Sequence, residues 1–410
     1  MSEAPMIDSG LLSQLLPFDP FDPAFLVDPY PTYRRVREEQ GRVSRTPLGM
    51  WVLSGFEECS TVLRDSRFGW GDGATVADHF TTGEDGEIVR PFIFADPPEH
   101  TRIRALVGNA FAARRVDGLR DRMLDVAREL VASARDGADG GTVDLMTSVA
   151  HPMPAKLLGE LMHVTPEHEE RFGELARDIA RGLDPSLFLT PTEIGKRDSA
   201  RAELYEYFAT LVEARRASPG EDLVSKLVAA EEGGDRLSER EIQVTCTLLL
   251  SAAYATTANL IGNGMLALLR APEQLAWLRA NPGGVPGAVE EMLRYDAPVQ
   301  VISRTALAEV ELGDTKIQPG EQAMLLLGAA NRDPAMFEDA DELKVARPTS
   351  RNLGFGVGIH FCVGAPVARL AAQAAVTALV EQDLELVGDQ PARVPNIVMR
   401  GLGELPVTIR

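Results

Sequence analysis

The stretch Phe355-Gly-Val-Gly-Ile-His-Phe-Cys-Val-Gly-Ala-Pro-Val-Ala-Arg369 presents one cysteine, Cys362, inside a glycine-rich turn. Glycines permit positive φ and let the backbone approach a flat partner closely. A helical pattern over residues 364–379 follows at once, so the sulfur would lie near the positive end of a helix dipole, which favours its thiolate form. An ordinary strand-to-helix turn, with Cys362 as a small buried hydrophobe, has the same local pattern. The rest of the chain favours the thiolate.

The composition is that of a soluble globular enzyme. Of the 410 residues, 45% are hydrophobic and 25% are charged, which is enough to form a large core. With 41 basic and 61 acidic residues, the formal charge of −20 disfavours nucleic acid or an anionic membrane as the main partner. The three cysteines, Cys59, Cys246 and Cys362, have no paired spacing, so neither a disulfide framework nor a zinc site is predicted.

The expected location is the cytoplasm. The N-terminus lacks a basic region followed by an apolar core, so no secretory signal is predicted. The most apolar segment, 248–260, is shorter than the ~20 residues that a bilayer-spanning helix needs, and polar residues interrupt it. We therefore expect a soluble protein without membrane insertion.

Periodicity predicts a mainly α fold with small β-sheets. No internal repeat or linker is visible, so the whole chain, 1–410, is expected to form a single compact domain. Two loops, 69–91 and 181–192, are candidates for substrate access, although ordinary surface loops have similar compositions. Helical patterns cover 115–135, 154–183, 197–217, 238–270 and 286–295, and β-rich pieces cover 50–53, 299–312, 316–326 and 394–409.

The cysteine turn resembles the haem-binding signature of the cytochrome P450 family. That signature, Phe-x-x-Gly-x-x-x-Cys-x-Gly, matches Phe355, Gly358, Cys362 and Gly364. The resemblance covers nearly the whole chain and implies the cytochrome P450 fold, with a long central helix over the haem. It implies Cys362 as axial ligand to the iron of haem b (iron protoporphyrin IX), where a thiolate donates electron density and assists O–O cleavage.

A second motif, Glu291-Met-Leu-Arg294, resembles the family's Glu-x-x-Arg motif. On a helix this spacing puts both charges on one face. Arg347, shortly before the cysteine turn, resembles the third partner, and the resemblance implies a buried structural trio that locks the turn carrying Cys362. Judged by spacing alone, the same residues could form a solvated salt bridge of little energetic value.

The segment 96–104 resembles the family's haem-contacting helix. His100 and Arg104 are four residues apart and share a face of that helix. The resemblance adds Arg304 and His360 as further donors to the haem propionates, for which the guanidinium fork is well suited. Phe355 belongs to the same cofactor-binding set. Without the resemblance, His100 and Arg304 would equally be surface or helix-capping residues.

The segment 248–260 resembles the family's oxygen-binding helix, Ala-Gly-x-(Asp or Glu)-Thr. Thr256 matches the catalytic threonine, whereas Ala253 replaces the glycine and Ala255 replaces the acid. A threonine hydroxyl in a helix can bond its own backbone or hold a water. Because O2 activation consumes protons that an acid would relay, their delivery without a carboxylate is an open question. Substrate hydroxyls, ordered water or Thr257 are the candidate substitutes.

The predicted substrate pocket is apolar and roomy, which suggests a lipophilic small molecule. Its walls are assigned from small residues on the central helix, from the β segment beside Arg304, and from the terminal β segment. Periodicity alone would place all of these side chains in the core. The predicted lining residues are Leu249, Ala252, Ala253, Val299, Val301, Ile302, Ile397 and Val398.

Electrons must come from outside the chain. The sequence has no flavin-binding segment, nicotinamide fingerprint or iron-sulfur cysteine cluster. The resemblance therefore implies a ferredoxin and a ferredoxin reductase as external redox partners that carry electrons from NAD(P)H. A basic patch of Arg102, Arg114, Arg115 and Arg351 would dock such a donor, or these residues are ordinary solvated charges.

The sequence as a whole predicts a haem-thiolate monooxygenase. It would insert one atom of O2 into a lipophilic small molecule by hydroxylation or epoxidation, in the biosynthesis of a natural product such as a polyketide, macrolide or terpenoid. Two alternatives stay open because fold does not fix reaction. The chain could be a haem-binding protein of this fold without monooxygenase activity, or a peroxide-using or isomerising variant, since Ala255 stands where the acid is expected. Retention of Thr256 favours the monooxygenase.

Overall fold

The protein is described by a computed structural model. It describes residues 7, 9–82, 86, 88–110, 118–138, 141–232, 234–348 and 351–410. Over these residues the chain is mostly helical and carries several small sheets, which confirms the predicted fold class. The residues form two compact units. The first comprises Met1–Ile7, Gly69–Gly118 and Ala155–Ala255, and the second comprises Asp8–Phe68, Leu119–Pro154 and Thr256–Arg410.

The first unit is built mainly from helices. A capping box starts its longest helix, because the Thr190 hydroxyl accepts the backbone N–H of Glu193 while the Glu193 carboxylate accepts that of Thr190. Two short strand pairs, Thr81–Thr82 with Ile88–Val89 and Glu231–Glu232 with Asp235–Arg236, complete the unit. Its helices are Glu99–Ala110, Pro152–Met162 from residue 155 onward, Pro166–Arg181, Pro191–Ala217, Leu223–Ala229 and the first part of Glu239–Leu269.

The second unit combines helices with sheets and contains the cysteine turn. Cys59 and Leu353 belong to one of its hydrophobic clusters, which packs the helix Phe56–Arg64 against the strand Gln322–Leu326. Its helices are Ser9–Leu15, Pro23–Val27, Tyr30–Gln40, Phe56–Arg64, Arg120–Asp136, the last part of Glu239–Leu269, Pro272–Ala280, Val285–Tyr295, Leu327–Ala330 and Ala365–Val380, with a π-helical turn at Met146–Ala150.

The largest sheet of the second unit positions Arg304. Its strands follow the order Val43–Arg45, Trp51–Leu53, Gln322–Leu326, Val301–Ala306 and Phe68–Gly69. The pairing of Gln322–Leu326 with Val301–Ala306 is antiparallel and places Arg304 opposite Ala323. A three-stranded sheet joins Leu384–Leu386, Pro406–Ile409 and Thr142–Asp144, and a hairpin joins Val310–Leu312 to Thr315–Ile317.

The helix Glu239–Leu269, called the central helix below, is continuous over 31 residues. By length and composition alone it could cross a membrane, but 72% of its most apolar 18-residue window is buried inside the protein. An apolar helix that is largely buried is typical of a protein core. The predicted helix over 238–270 is confirmed.

Several predicted boundaries differ from the structure. The pattern over 154–183 divides into two helices, because His163 adopts a left-handed conformation (φ 53°) and Pro166 starts the second helix. The helix predicted from 197 begins at Pro191, where the capping box sets its start. Of the β-rich piece 394–409, only Pro406–Ile409 forms a strand, and isolated bridges join the remainder to its neighbours.

Candidate active site

The cysteine loop, residues 353–364, is a compact turn closed by its own backbone. The N–H of Cys362 donates to the carbonyl of Phe355 at 3.0 Å, and the N–H of Phe361 donates to the carbonyl of Gly358 at 3.1 Å. Gly364 caps the helix Ala365–Val380 that follows. Cys362 is therefore fixed three residues before a helix N-terminus, as the sequence predicts.

Two glycines of the cysteine loop have left-handed backbone conformations, with φ of 66° at Gly356 and 78° at Gly358. A Cβ on Gly358 would lie 2.2 Å from the carbonyl oxygen of Leu63, at the end of the helix Phe56–Arg64. The close approach at this glycine is to a neighbouring helix. Because Gly358 has no side chain, the cysteine loop can pack closely against the helix Phe56–Arg64.

The three cysteines occupy different environments. Cys59 and Cys246 are both 0% exposed, and burial raises the pKa of each thiol well above its usual value. Cys362 is half-buried and free of any disulfide. Buried thiols of raised pKa are inert, whereas a partly accessible sulfur close to a helix N-terminus can act as a thiolate ligand. The residues around Cys362 therefore fit a haem-thiolate site.

The trio predicted from Glu291, Arg294 and Arg347 is present, with Glu291 and Arg294 buried and Arg347 half-buried. The Arg294 guanidinium donates to both carboxylate oxygens of Glu291 at 2.8 Å, and the Arg347 Nε lies 3.2 Å from each of them. Glu291 is 1% exposed and Arg294 is 0% exposed. Arg294 also donates to the carbonyl of Asn331 at 3.0 Å, and the Asn331 side chain accepts the N–H of Leu353 at 2.7 Å. The trio is thereby connected to the first residue of the cysteine loop.

A second connection to the cysteine loop was missed by the sequence analysis. The Glu290 carboxylate accepts the Arg369 Nε at 2.5 Å, and the Glu290 carbonyl accepts the Asn352 side-chain amide at 3.3 Å. The Arg369 guanidinium lies 4.5 Å from the centre of the Phe355 ring, which is a cation–π distance. Glu290 and Arg369 thus support Phe355 from outside the loop. Glu290 directly precedes the Glu291–Arg294 motif and Arg369 ends the stretch that contains Cys362, so charges beside the two motifs were the available signal.

The four predicted propionate donors lie two in each unit. In the first unit, His100 is buried and Arg104 is half-buried on the helix Glu99–Ala110, one turn apart. In the second unit, Arg304 is buried in its strand and His360 is half-buried in the cysteine loop, two residues before Cys362. Arg304 and His360 thus lie in the same unit as the Cys362 thiol. A guanidinium and an imidazole are suitable hydrogen-bond donors to the carboxylates of a haem. Their convergence on one cofactor stays a prediction.

The central helix has one face that is less buried than the rest. Between residues 242 and 260 the partly or fully exposed residues are Leu248, Ala252, Ala253, Thr256 and Asn259. They recur every three or four residues and therefore lie on one side of the helix. We call this side the open face. It presents small and polar side chains, including the Thr256 hydroxyl.

The open face agrees with most of the pocket residues predicted on this helix. Ala252, Ala253 and Thr256 lie on it. Leu249 does not, because it is buried in the core, and Leu248 occupies the open face instead. A shift of one residue rotates a side chain by about 100° around a helix. The pocket assignments on this helix, including that of Leu249, stay predictions.

The predicted pocket residues of the second unit come from two segments that meet. An antiparallel bridge joins Val299 to Met399, and the N–H of Gln300 donates to the carbonyl of Val398 at 2.9 Å. Val299, Ile302 and Val398 are partly exposed, whereas Val301 and Ile397 are buried. The two segments thus form one continuous surface, although they are about a hundred residues apart in sequence.

The two candidate access loops contact each other within the first unit. The Ser186 hydroxyl donates to the Asp78 carboxylate, and the Arg201 Nη1 donates to the backbone carbonyl of Asp78 at 2.7 Å. The adjacent His79 ring stacks on Phe94 with 4.9 Å between ring centres. Burial, together with the positive charge of nearby Arg201, lowers the pKa of His79 to about 4. His79 is therefore neutral at pH 7.

The proposed basic patch is only partly supported by the structure. Arg102 forms an ion pair with Glu241 and lies 3.6 Å from Asp235, so its charge is compensated within the first unit. Arg351 is exposed in the second unit. Arg114 and Arg115 lie outside the described residues. Arg102 is thus not a free positive charge for a donor protein.

Most of the chain matches the model of one protein family. The family model described as Cytochrome P450 matches residues 42–281 and 285–399. The chain belongs to the cytochrome P450 family. The matched residues include the cysteine loop, the trio, the open face and the helix Glu99–Ala110, so the P450 family accounts for features in both units.

Several relatives are P450 enzymes of known activity or origin. Cytochrome P450 monooxygenase PikC of Streptomyces venezuelae is 38% identical over 417 residues, covering 99% of this chain and 95% of PikC. The 6-deoxyerythronolide B hydroxylase of Saccharopolyspora erythraea is 35% identical, covering 94% and 97%. The solved structure of PksS, the P450 of the bacillaene polyketide synthase of Bacillus subtilis 168, has a TM-score of 0.84 at 32% identity, covering 96% and 99%.

The chain is accordingly a P450 monooxygenase. Members of this family use haem and O2, and they receive electrons from a redox partner. The fold and the reaction class predicted from the sequence are confirmed by these similarities.

Proposed function

We propose that this P450 hydroxylates or epoxidises a lipophilic natural product, of the polyketide or macrolide class or one of similar size and polarity. The observation that carries the proposal is similarity over nearly the full length to 6-deoxyerythronolide B hydroxylase and to a polyketide-synthase P450. The small side chains of the open face and the apolar surface around Val299 and Val398 are suited to a bulky apolar ligand.

The cofactor in this proposal is haem b, held through Cys362. When bound, it supplies the redox chemistry of O2, which the thiolate promotes by donating electron density. The residues that would donate to its two propionates are His100, Arg104, Arg304 and His360. Phe355 belongs to the cysteine loop, and the Arg369 guanidinium lies 4.5 Å from the centre of its ring.

The same proposal includes two external redox partners. Electrons pass from NAD(P)H through a ferredoxin reductase and a ferredoxin in the cytoplasm.

The two units form one P450 domain over 1–410, since one family match extends across both.

Thr256 is proposed to hold the water that delivers protons to the oxygen site. It lies on the open face, whereas the neighbouring Thr257 is buried on another side of the helix. We expect Thr256→Ala to lower the product formed per NAD(P)H by about tenfold or more, because proton delivery commonly contributes 10²-fold to 10⁴-fold. Hydrogen peroxide release should rise correspondingly.

The measurement uses holoenzyme, a ferredoxin and its reductase, with a ligand selected by its shift of the haem absorption band. Thr257→Ala is the matched control. It should leave coupling unchanged, because the buried Thr257 lies away from the open face and is therefore not proposed as the substitute proton donor. Equal coupling in Thr256→Ala and the wild type would contradict the assigned role. Failure of the wild type to form product with any electron donor would count against monooxygenation of the tested ligands.

A peroxide-using enzyme is the second candidate, and Ala255 is the observation that favours it. Ala255 is 6% exposed, so a carboxyl at this position would be buried and its pKa would be raised, as suits a proton donor. If proton supply limits the O2 reaction, Ala255→Glu should raise product per NAD(P)H about twofold or more, whereas Ala255→Gln should not.

Turnover with hydrogen peroxide in place of the electron donors completes this comparison. A wild type that works at full rate with peroxide and poorly with O2 would favour the second candidate. Unchanged O2 coupling in Ala255→Glu would show that protons already arrive by another route.

A further inference from the structure

Two predicted pocket segments are held in register by one buried network. The residues 394–399, called the terminal turn below, run antiparallel to residues 298–300. Beyond the bridge between Val299 and Met399, the N–H of Arg400 donates to the carbonyl of Pro298 at 2.7 Å. Backbone bonds fix the pairing locally, but such a short ladder is weak without side-chain support.

The Asp296 carboxylate supplies this support from a buried position. Its Oδ1 accepts the Tyr30 hydroxyl at 2.7 Å and the Arg400 Nε at 2.7 Å, and its Oδ2 accepts the Arg393 Nη2 at 3.3 Å. Arg393 and Arg400 are the residues that bracket the terminal turn in sequence. Asp296 itself lies two residues before the opposite segment, residues 298–300. A single carboxylate therefore joins both ends of the turn to the wall that faces it.

The same network ties the terminal turn to the central helix. Asn263 accepts the Arg393 Nη1 at 2.7 Å, and its amide donates to the carbonyl of Arg400 at 3.0 Å. A Cβ on Gly401 would lie 2.2 Å from the Asn259 Oδ1, so the Asn259 amide rests directly on this glycine. Asn259 belongs to the open face, one turn after Thr256. Displacement of the turn would therefore disturb the surface that contains the reactive threonine.

The charges make this network sensitive to the loss of Asp296. Burial alone would raise the pKa of Asp296, but Arg400 and Arg393 lower it to about 2. Burial lowers the pKa of Arg393 to about 10. At neutral pH Asp296 is thus a full carboxylate that balances buried guanidinium groups. Its neutralisation leaves those cations without their counter-charge, which is unfavourable in a buried site.

We propose that Asp296 is a positioning residue that holds the terminal turn against Val299 and thereby sets the shape of the substrate pocket. This inference rests on the proposed function, which places Val299 and Val398 in that pocket. It assigns no contact between Asp296 and the substrate. The side chain acts through the arginines that bracket the turn.

Binding of two azoles to the ferric holoenzyme tests the proposal without requiring the natural substrate. Imidazole and clotrimazole both shift the haem absorption band, but only clotrimazole is large enough to contact the pocket walls. Asp296→Asn keeps the size of the side chain and one acceptor oxygen, while it turns an amide donor toward Arg393. We expect it to weaken clotrimazole binding about tenfold and to leave imidazole binding unchanged.

Asp333→Asn is the matched control. Asp333 is equally a buried carboxylate of the second unit, and it accepts Arg42 at 2.6 and 2.8 Å and the N–H of Phe56 at 2.9 Å, away from the terminal turn. The Asp333→Asn variant should be less stable than the wild type and should keep the affinity for both azoles.

Arg393→Gln is the second test variant, and it tests the proposal if Asp296→Asn does not fold. It removes one arm of the network and retains the bonds of Asp296 to Tyr30 and Arg400.

Hydrogen exchange provides a readout that is independent of ligands. The N–H groups of Met399 and Arg400 should exchange faster in Asp296→Asn than in the wild type, with no change in Asp333→Asn. Unchanged clotrimazole affinity in both test variants, or an equal loss in Asp333→Asn, would overturn the inference. A wild type that shows no thiolate-type carbon monoxide spectrum and no azole shift would instead overturn the proposed function.

Discussion

We expect replacement of Cys362 by alanine to abolish the thiolate-type absorption band of the reduced carbon monoxide complex. The sulfur is the proposed iron ligand, and no other side chain of the cysteine loop is a thiol. The fold should persist, because Cys362 is half-buried and the loop is closed by backbone hydrogen bonds that alanine retains. Reduced carbon monoxide difference spectra and far-ultraviolet circular dichroism of the purified variant measure both effects.

Cys59→Ala and Cys246→Ala are the controls, and they should affect stability but not the spectrum. Both cysteines are fully buried, so removal of the sulfur leaves a small cavity and should lower the free energy of unfolding by about 1 kcal/mol. Neither change should affect the spectrum. Persistence of the thiolate band in Cys362→Ala would remove the basis of the proposed cofactor site.

Glu291→Gln should destabilise the protein by about 3–5 kcal/mol, because it leaves the buried Arg294 and the neighbouring Arg347 without their carboxylate. The loss should extend to haem retention, since Arg294 is connected through Asn331 to Leu353 at the start of the cysteine loop. Urea unfolding and the haem content per chain, measured on the same preparation, report the two consequences.

Glu290→Gln is the matched control at the adjacent position. The Glu290 side chain is 25% exposed and pairs with Arg369, so its contribution to stability should be about 1 kcal/mol or less. Haem content should change less than in Glu291→Gln. If the two variants unfold at the same urea concentration, burial of the trio does not have the energetic importance assigned to it.

The sequence predicted the parts of the site whose residues are close together along the chain. The cysteine loop needs glycines, a thiol and a helix start within about fifteen residues, and the Glu291–Arg294 pair needs one helical turn. Resemblance to a family then added Arg347, His100 and Arg304. These positions are readable because each depends on a local pattern or on a motif.

Contacts between distant segments were not readable. Glu290 and Arg369 are 79 residues apart, and Ser186 and Asp78 are 108 residues apart. Their pairing depends on how helices and loops pack, which leaves no local spacing in the sequence. The burial of neighbouring positions on the central helix was not readable either. Leu248 and Leu249 are both leucines within an apolar helix, and only packing determines which of them is partly exposed.

The cysteine loop and the residues that support it are synthesised late. Its supports at Glu290, Asn331 and Arg369 lie in the last third of the sequence, near Cys362 itself. Chains fold from the N-terminus while they are still being made. A ribosome that stops between residues 294 and 362 therefore leaves a nascent chain that contains the Glu291–Arg294 pair but lacks Cys362. With Cys362 as the proposed iron ligand, haem capture is a late event, which follows the synthesis of almost the whole protein.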